Sequence, residues 1–183
     1  MDTIHHTVRN PVIGHRVNFL QTAAETNSEL LRIEYVVEQP ESEPVIPLHK
    51  HLKCEERFET VAGKLGVILE GKERIFEVGE SVTIPPGSAH TFWNAGQDEL
   101  RFITEIRPPG ELQTYWETVF GLAEDGRVGD NGLPNLLQLA VIAPLADSYD
   151  PRVPVNVTKG LIVLLGGIGR LLGYKERYPQ YSD

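Results

Sequence analysis

Residues 14–107 alternate short runs of hydrophobic and polar positions, which is the pattern of β-strands. In the run over 30–37, Arg32 and Glu34 fall on one face, as in a half-buried strand, and the other face carries Leu31, Ile33, Tyr35 and Val37. Runs of the same kind cover 15–22, 57–62, 64–71, 72–78, 80–85, 90–94 and 99–107. Turn residues such as Gly63 and the Pro-Pro-Gly stretch at 85–87 separate them. This series of short strands predicts an antiparallel sandwich or barrel.

The pattern changes after Pro108 and Pro109, which end the last predicted strand. Apolar residues then recur with helical spacing in three segments, over 111–125, 131–145 and 158–178. In the second segment, Pro134 lies near the predicted start of the helix and Pro144 at its predicted end. We therefore predict a mainly β domain over 1–109, followed by a helical C-terminal extension over 110–183.

The third helical segment carries a continuous apolar stripe, formed by Leu161, Leu164, Leu165, Ile168, Leu171 and Leu172. Three glycines, at positions 166, 167 and 169, lower the helix propensity of the same segment. We expect the stripe to pack on the barrel or on a partner subunit, because a helix without a strongly basic face is a poor match for a membrane surface.

Composition narrows the classes of function. The chain has 183 residues and a net charge of −9, with 17 basic and 26 acidic residues. Such a chain is a poor partner for nucleic acid, because affinity for phosphate depends mainly on Lys and Arg. The single cysteine, Cys54, excludes an intramolecular disulfide and fits a reducing compartment. No apolar run is long enough to span a bilayer, and the start lacks a signal-peptide pattern, so we expect a cytoplasmic protein without a membrane span.

Potential metal ligands cluster in the strand-like stretch over 47–63. Residues i and i+2 of a strand face the same side, so His49 and His51 project together. Glu56, at the start of the next strand, adds a carboxylate, and His90 opens a later strand after the Pro-Pro-Gly turn. If the strands are neighbours, these four residues form a metal site. The alternative is that the three histidines are hydrogen-bonded at a polar barrel mouth, and the spacing favours the metal site.

The remaining histidines and the cysteine lack such spacing. We interpret His5, His6 and His15 as surface residues. We interpret Cys54 as a small loop residue instead of a thiolate ligand, because only cysteines in perturbed, suitably positioned environments carry chemistry.

The two ligand-bearing segments resemble the paired motifs of the cupin superfamily. The first motif, His-x-His followed by Glu and Gly, is matched by His49, His51, Glu56 and Gly63. The second motif is matched at every position, by Gly79, Pro85, Gly87, His90 and Asn94. The resemblance covers residues 41–109 well, whereas the helical tail lies outside the motifs.

This resemblance implies a double-stranded β-helix, that is, a jelly-roll barrel, and often a homodimer. It implies one divalent metal ion held by His49, His51, Glu56 and His90. Glu55 is an alternative to Glu56 as the acidic ligand, because the first motif tolerates either spacing between the histidines and the glutamate. Counting back from the motif glycine selects Glu56, and Glu55 would then face solvent.

The expected ligand set leaves an octahedral ion with one or two open positions, which is typical of a catalytic site. Imidazole suits Fe, Ni, Mn, Zn and Cu, so the ligands do not select the metal. We expect a pocket lined by Phe58, Thr60, Val67, Ile84, Phe92 and Phe102. These observations predict a metal-dependent enzyme, dioxygenase-like or isomerase-like, acting on a small, mostly apolar molecule. The alternative is a small-molecule binding or sensing protein without turnover. No catalytic acid or base is identified.

Overall fold

The computed structural model describes residues 3–181. Its barrel strands are β1 (His6–Asn10), β2 (His15–Gln21), β3 (Leu31–Val37), β4 (Lys50–His51), β5 (Glu55–Ala62), β6 (Leu65–Leu69), β7 (Lys72–Phe76), β8 (Ser81–Ile84), β9 (His90–Asn94) and β10 (Leu100–Arg107). The C-terminal elements are α1 (Leu112–Glu124), α2 (Leu136–Ala146), β11 (Ser148–Tyr149) and α3 (Val155–Leu171). A single 3₁₀ turn, Ala24–Thr26, follows β2.

The barrel is made of two antiparallel sheets. The six-stranded sheet has the order β1-β2-β3-β10-β5-β8, and the three-stranded sheet has the order β7-β6-β9. The predicted β-rich fold class, a barrel followed by α-helices, is confirmed. Two short strands were not predicted: β1 near the N-terminus, and β11, whose two residues are too few to show a period. Strand β4 lies within the stretch over 47–63 that was predicted to be strand-like.

Alternating burial along each strand builds the core, as the sequence pattern predicts. Along β10 every second side chain is buried, whereas the residues between them are only partly buried or exposed. The largest fully buried apolar side chains in the barrel are Phe19, Leu31, Ile33, Leu65, Ile84, Leu100, Phe102 and Ile106. Burying a side chain of this size contributes about 1.5–3 kcal/mol, so this shared interior is the main stabilising feature of the barrel.

The first two helices of the extension pack on the barrel and on each other. Helix α1 lies against β1, and it buries Val119 and Phe120 in the same core as the sheets. Asn135 caps the start of helix α2, because its side chain accepts hydrogen bonds from the backbone N–H groups of Leu137 and Gln138. The helix continues past Pro144 to Ala146, so the predicted end is wrong by two residues. A proline in the last turn breaks only local helical hydrogen bonding.

Strand β11 returns the extension to the barrel. Ser148 pairs with His51 and Tyr149 pairs with Lys50, both in antiparallel register. The segment that follows α2 therefore forms a two-stranded sheet with the strand that carries the predicted ligand His51.

Helix α3 is attached to α2 through glycines. A side chain at Gly166 would meet the carbonyl oxygen of Ala140, and one at Gly169 would meet that of Leu137, at 2.9 and 2.8 Å. Most of the apolar stripe points the other way: Leu165 is half-buried, whereas Leu161, Leu164, Ile168, Leu171 and Leu172 are exposed. The expectation that the stripe packs on the barrel is therefore wrong, and packing on a partner subunit stays a prediction. Across residues 3–181, no helix combines the length and hydropathy that a bilayer crossing requires.

The shared core gives a prediction for Phe120, which lies on the extension but packs beside the barrel residue Tyr35. Phe120→Ala should lower the free energy of unfolding by about 3–5 kcal/mol, because it removes a buried aromatic ring from the contact between the helix and the barrel. Urea denaturation followed by tryptophan fluorescence and circular dichroism should still show one transition. As a control, Val78→Ala on the exposed surface should change the stability little. Two separate transitions would contradict a common core.

Candidate metal centre

A backbone bridge sets the position of two of the predicted ligands. The N–H of His49 donates to the carbonyl of His90 at 3.0 Å, and the N–H of His90 donates to the carbonyl of His49 at 2.8 Å. The two residues therefore lie directly opposite each other, with ring centroids 4.4 Å apart. His51 follows two residues after His49 and faces the same side, and its ring lies 5.0 Å from that of His49.

Each of the three rings is oriented by a backbone carbonyl at Nδ1. His49 Nδ1 contacts the oxygen of Pro47 at 2.8 Å, and His90 Nδ1 contacts that of Ser88 at 3.0 Å. His51 Nδ1 contacts the oxygen of Ala146 at 2.9 Å. A carbonyl only accepts, so each Nδ1 carries the hydrogen and each neutral ring presents its Nε2 lone pair. One ligand atom from each of the three rings lies within 4.8 Å of the others.

Glu56 completes the cluster from the opposite sheet. It begins the inward-facing series of β5 and is buried, while its neighbour Glu55 is exposed. Its Oε2 lies 2.8 Å from His90 Nε2 and 3.8 Å from His51 Nε2. The structure therefore places all four predicted ligands together and separates Glu56 from Glu55 in the way that the motif spacing predicts.

The buried polar atoms of this cluster fit a cation. Among residues 3–181, Glu56 Oε2 and His90 Nε2 are the buried side-chain atoms without a hydrogen-bond partner, although they are close to each other. Buried polar atoms are normally satisfied, so two such atoms facing each other require an explanation. A metal ion bound to both would satisfy them. Imidazole nitrogens with one carboxylate oxygen suit divalent Mn, Fe, Ni, Cu or Zn.

The electrostatics of the cluster keep the ligand atoms available. Burial opposes ionisation of Glu56, but the adjacent His90, His51 and His49 outweigh it and lower the pKa of Glu56 to about 2. Burial, together with the other two rings, lowers the pKa of His49 to about 3. At neutral pH, Glu56 is therefore a carboxylate and His49 a neutral imidazole. Burial lowers the pKa of His90, but Glu56 raises it more, so a cation and a proton compete for its Nε2.

Two further backbone contacts hold the strand of His51 in place, one from the extension and one from the barrel. The N–H of Leu52 donates to Oδ2 of Asp147 at 3.0 Å, directly beside the Ala146 carbonyl that binds the ring. Asp147 ends helix α2 with a left-handed backbone, which turns the chain into β11. On the other side, the N–H of Gly87 donates to the carbonyl of His51 at 2.6 Å. The sequence did not reveal this clamp, because Ala146 and Asp147 are 95 residues away from their partners.

A cavity of about 280 Å³ opens from the cluster into the protein. The four predicted ligands line one end. The barrel contributes aromatic walls, mainly Tyr35, Phe58, Phe92 and Phe102. The helices contribute the facing wall, mainly Leu112, Tyr115, Trp116, Val119, Phe120 and Leu139. The space is therefore largely apolar and aromatic, with its charged groups concentrated at the histidine end.

The predicted pocket residues divide into two groups. Phe58, Phe92 and Phe102 line the cavity, whereas Thr60, Val67 and Ile84 do not. All three in the second group face inward, but they are buried in filled parts of the core, and the Thr60 hydroxyl donates to the carbonyl of Phe76. Strand alternation indicates which side chains point inward, but not where the interior stays open.

Two predictions about single residues had different outcomes. His15 is fully buried, not on the surface: its Nδ1 contacts the Tyr35 hydroxyl and its Nε2 contacts Glu41, both at 3.0 Å. Cys54 is buried, and burial together with nearby Glu56 and Asp147 raises the pKa of its thiol to about 12. The thiol therefore stays protonated, and Cys54 is not part of the histidine cluster.

Comparison with known proteins identifies the barrel. Residues 35–105 match the cupin domain family, so the resemblance in the two motifs is confirmed. No curated protein matches the chain.

Solved structures of similar proteins include KdgF from Halomonas sp., with 17% identity over 59% of this chain and 93% of that chain, at a TM-score of 0.49. An RmlC-like cupin from Shewanella frigidimarina has 19% identity over 55% of this chain and 82% of its own chain, at a TM-score of 0.45. A predicted oxalate decarboxylase from Thermotoga maritima has 20% identity over 56% of this chain and 90% of its own chain, at a TM-score of 0.47. Similarity at this level does not transfer an activity.

The clamp on His51 gives a prediction for Asp147. Asp147→Ala removes the acceptor for the Leu52 N–H and should weaken binding of Co²⁺ by about 10–100-fold, the usual effect of losing an outer-shell contact. Asp147→Asn keeps an acceptor oxygen and tolerates the left-handed backbone, so it should retain most of the affinity. Chelator competition measures both constants, and thermal unfolding checks that both variants are folded. Equal affinities for the wild type and Asp147→Ala would contradict the clamp.

Proposed function

We propose that this chain, whose residues 35–105 are a cupin domain, binds one divalent transition-metal ion and acts as a metal-dependent enzyme on a small, mostly apolar organic molecule. His49, His51, Glu56 and His90 are the proposed ligands. The observation that carries the proposal is the convergence of one ligand nitrogen from each of three histidines beside the buried carboxylate of Glu56, whose Oε2 has no hydrogen-bond partner. Iron, nickel, manganese, zinc and copper all fit this donor set.

The shape of the cavity supports the proposed substrate class. Its walls are aromatic and aliphatic, and its volume fits a compact organic molecule. Asp150, a lining residue with 35% of its side chain exposed, is already paired with Arg152 at 2.7 Å. A sugar phosphate would need several cationic or hydrogen-bonding groups, and the lining supplies few. An apolar molecule with one oxygen-bearing end directed at the histidines fits better.

The proposed reaction is dioxygenase-like or isomerase-like. A metal ion bound with an open coordination position supplies either redox chemistry with dioxygen or polarisation of a carbonyl. The aromatic walls orient the substrate, and helices α1 and α2 cover the cavity and limit the access of water. Tyr115 lines the cavity, and burial raises its pKa, so its hydroxyl stays protonated and can donate a hydrogen bond to a substrate oxygen.

One observation favours a second candidate function. Beyond the four proposed ligands, the inner cavity wall offers no histidine or free carboxylate as an acid or base within residues 3–181. A protein that binds or senses a small apolar ligand through its metal needs no such group. The two candidates differ in turnover, not in the site.

A homodimer and a cytoplasmic location complete the proposal. The dimer is supported by the tendency that the family resemblance implies. The location is supported by the single cysteine, which is buried and unpaired.

The ligand assignment gives a prediction for His49. Untagged protein should contain near-stoichiometric metal by plasma mass spectrometry, and His49→Ala should lower both the metal content and the melting temperature. A ligand that binds only the folded state stabilises it by about 2.7 kcal/mol at a hundredfold excess over its Kd. His5→Ala, at an exposed histidine outside the cluster, should leave both unchanged. An unaltered metal content in His49→Ala would contradict the assignment.

The cavity gives a prediction for Leu139. The Fe²⁺-loaded protein should consume dioxygen with an enol or catechol, and Leu139→Trp should abolish consumption, because the larger ring fills the cavity. Metal content should stay the same. Leu136→Trp, on the exposed side of the same helix, is the matched control and should keep full activity.

Two results would change the proposed activity. Binding of a catechol to the loaded protein without any oxygen uptake or isomerised product would favour the sensing function. Unchanged oxygen uptake in Leu139→Trp would show that the reaction does not occur in this cavity.

A further inference from the structure

Helix α3 presents a line of exposed apolar side chains, here called the α3 seam: Val157, Leu161, Leu164, Ile168 and Leu171. Their exposed fractions lie between 41% and 88%. Val163 and Leu172 widen the patch on its two sides. Single exposed apolar residues are common, but a contiguous patch of this kind on one helix marks an interaction surface.

The spacing of the seam indicates that its partner is a helix. The five residues follow one another at intervals of four, three, four and three. This is the 3.5-residue repeat with which two helices keep a common apolar seam between them. A globular core normally requires a broader and less regular apolar face.

Two glycines make the seam self-complementary. Gly160 and Gly167 lie on the outward side of α3, and nothing stands within 4 Å of the position that a side chain would occupy. Their spacing about Leu164 is nearly symmetrical. In two antiparallel copies of α3 related by a two-fold axis at Leu164, Leu161 of one copy lies level with Gly167 of the other. Ile168 likewise lies level with Gly160, so each large side chain meets a small one.

Charge favours a second copy over an anionic membrane. The cations of α3 are engaged within the chain: Lys159 lies over the Tyr149 ring, and Arg170 pairs with Glu176 at 3.1 Å. The whole chain carries a net charge of −9, which repels an anionic lipid surface. The seam itself contains no charged residue, so pairing two copies brings no like charges together.

The size of the patch is sufficient for such an interface. Six large apolar side chains, the five of the seam and Leu172, would be covered in each copy, and each is at least two-fifths exposed. Two copies would bury on the order of 1,000 Å² together, the size at which specific interfaces begin. The surface is isologous, so the assembly closes as a dimer instead of growing into a filament.

We propose that α3 pairs with α3 of a second copy, antiparallel, around a two-fold axis near Leu164. This inference rests on the homodimer proposed above and adds the surface that forms it. It is independent of the metal ligands, because α3 contacts α2 and contributes no residue to the cavity lining.

Sedimentation equilibrium of the full chain tests the surface. The wild type should be a dimer, and Leu164→Glu should raise the dissociation constant by at least about 30-fold, because it puts a charge at the centre of an apolar contact. Leu164 is 62% exposed, so the variant should fold, and circular dichroism confirms this. Val78→Glu, equally exposed but on the barrel, should remain a dimer.

The outcomes separate this inference from the homodimer itself. A Leu164→Glu variant that dimerises like the wild type would overturn the α3 interface and leave a homodimer through another surface. A wild type that is monomeric at every concentration would overturn both. In that case, binding of the wild type, but not of Leu164→Glu, to vesicles of equal parts phosphatidylcholine and phosphatidylglycerol would assign the seam to lipid.

Cross-linking tests the position of the axis. Leu164→Cys should form a disulfide-linked dimer under mild oxidation, because the two copies of this residue meet on the axis. The native Cys54 is buried and should not react. Val163→Cys is even more exposed but lies to one side of the seam, so it should cross-link much less. Equal cross-linking of both variants would contradict the proposed axis.

Discussion

The pair of backbone hydrogen bonds between His49 and His90 is the contact on which the geometry of the barrel mouth depends. It joins the segment before β4 to the first residue of β9, so both predicted ligands are fixed by backbone and not only by flexible side chains. Strand alternation then places His51 beside His49, and the facing sheet supplies Glu56 through β5. The four donor groups thus come from three sheets and from the residue just before β4, so no single sheet could assemble them alone. Removing the bridge would separate the ligands, even with every side chain intact.

Two of the three histidine rings are oriented by residues close in the sequence, and the third is oriented by a residue far away in the sequence. His49 and His90 are each oriented by the backbone carbonyl two residues earlier, so the orienting group belongs to the same short segment as the ring. His51 is oriented by Ala146, which belongs to the helical extension. The extension therefore does more than cover the barrel: it supplies the hydrogen bond that selects the tautomer of one proposed ligand. Metal binding and the packing of α2 are coupled through that bond.

The same distinction explains how far the sequence predicts this protein. Alternation and helical spacing predict most strands and all three helices, and the spacing of His49, His51, Glu56 and His90 predicts their convergence. A periodic pattern identifies an apolar face but not what covers it. The apolar stripe of α3 was therefore predicted to pack on the barrel, whereas the contact of α3 with α2 is made by glycines. His15 was misplaced because its partners are distant in the chain. Thr60, Val67 and Ile84 were misplaced because inward direction does not reveal whether the space is filled.

The charge of the proposed centre constrains the molecule that fits the cavity. A divalent ion with three neutral imidazoles and the single carboxylate Glu56 carries one net positive charge. In water such a charge is solvated, but here the surroundings are the aromatic walls of the barrel and the apolar faces of α1 and α2. A buried net charge is costly unless it is paired. A ligand whose one oxygen is easily deprotonated, such as an enol, a phenol or a carboxylic acid, would neutralise the centre, while its apolar remainder fills the cavity. An uncharged hydrocarbon would leave the positive charge of the centre uncompensated. A phosphate would bring more negative charge than the centre can neutralise.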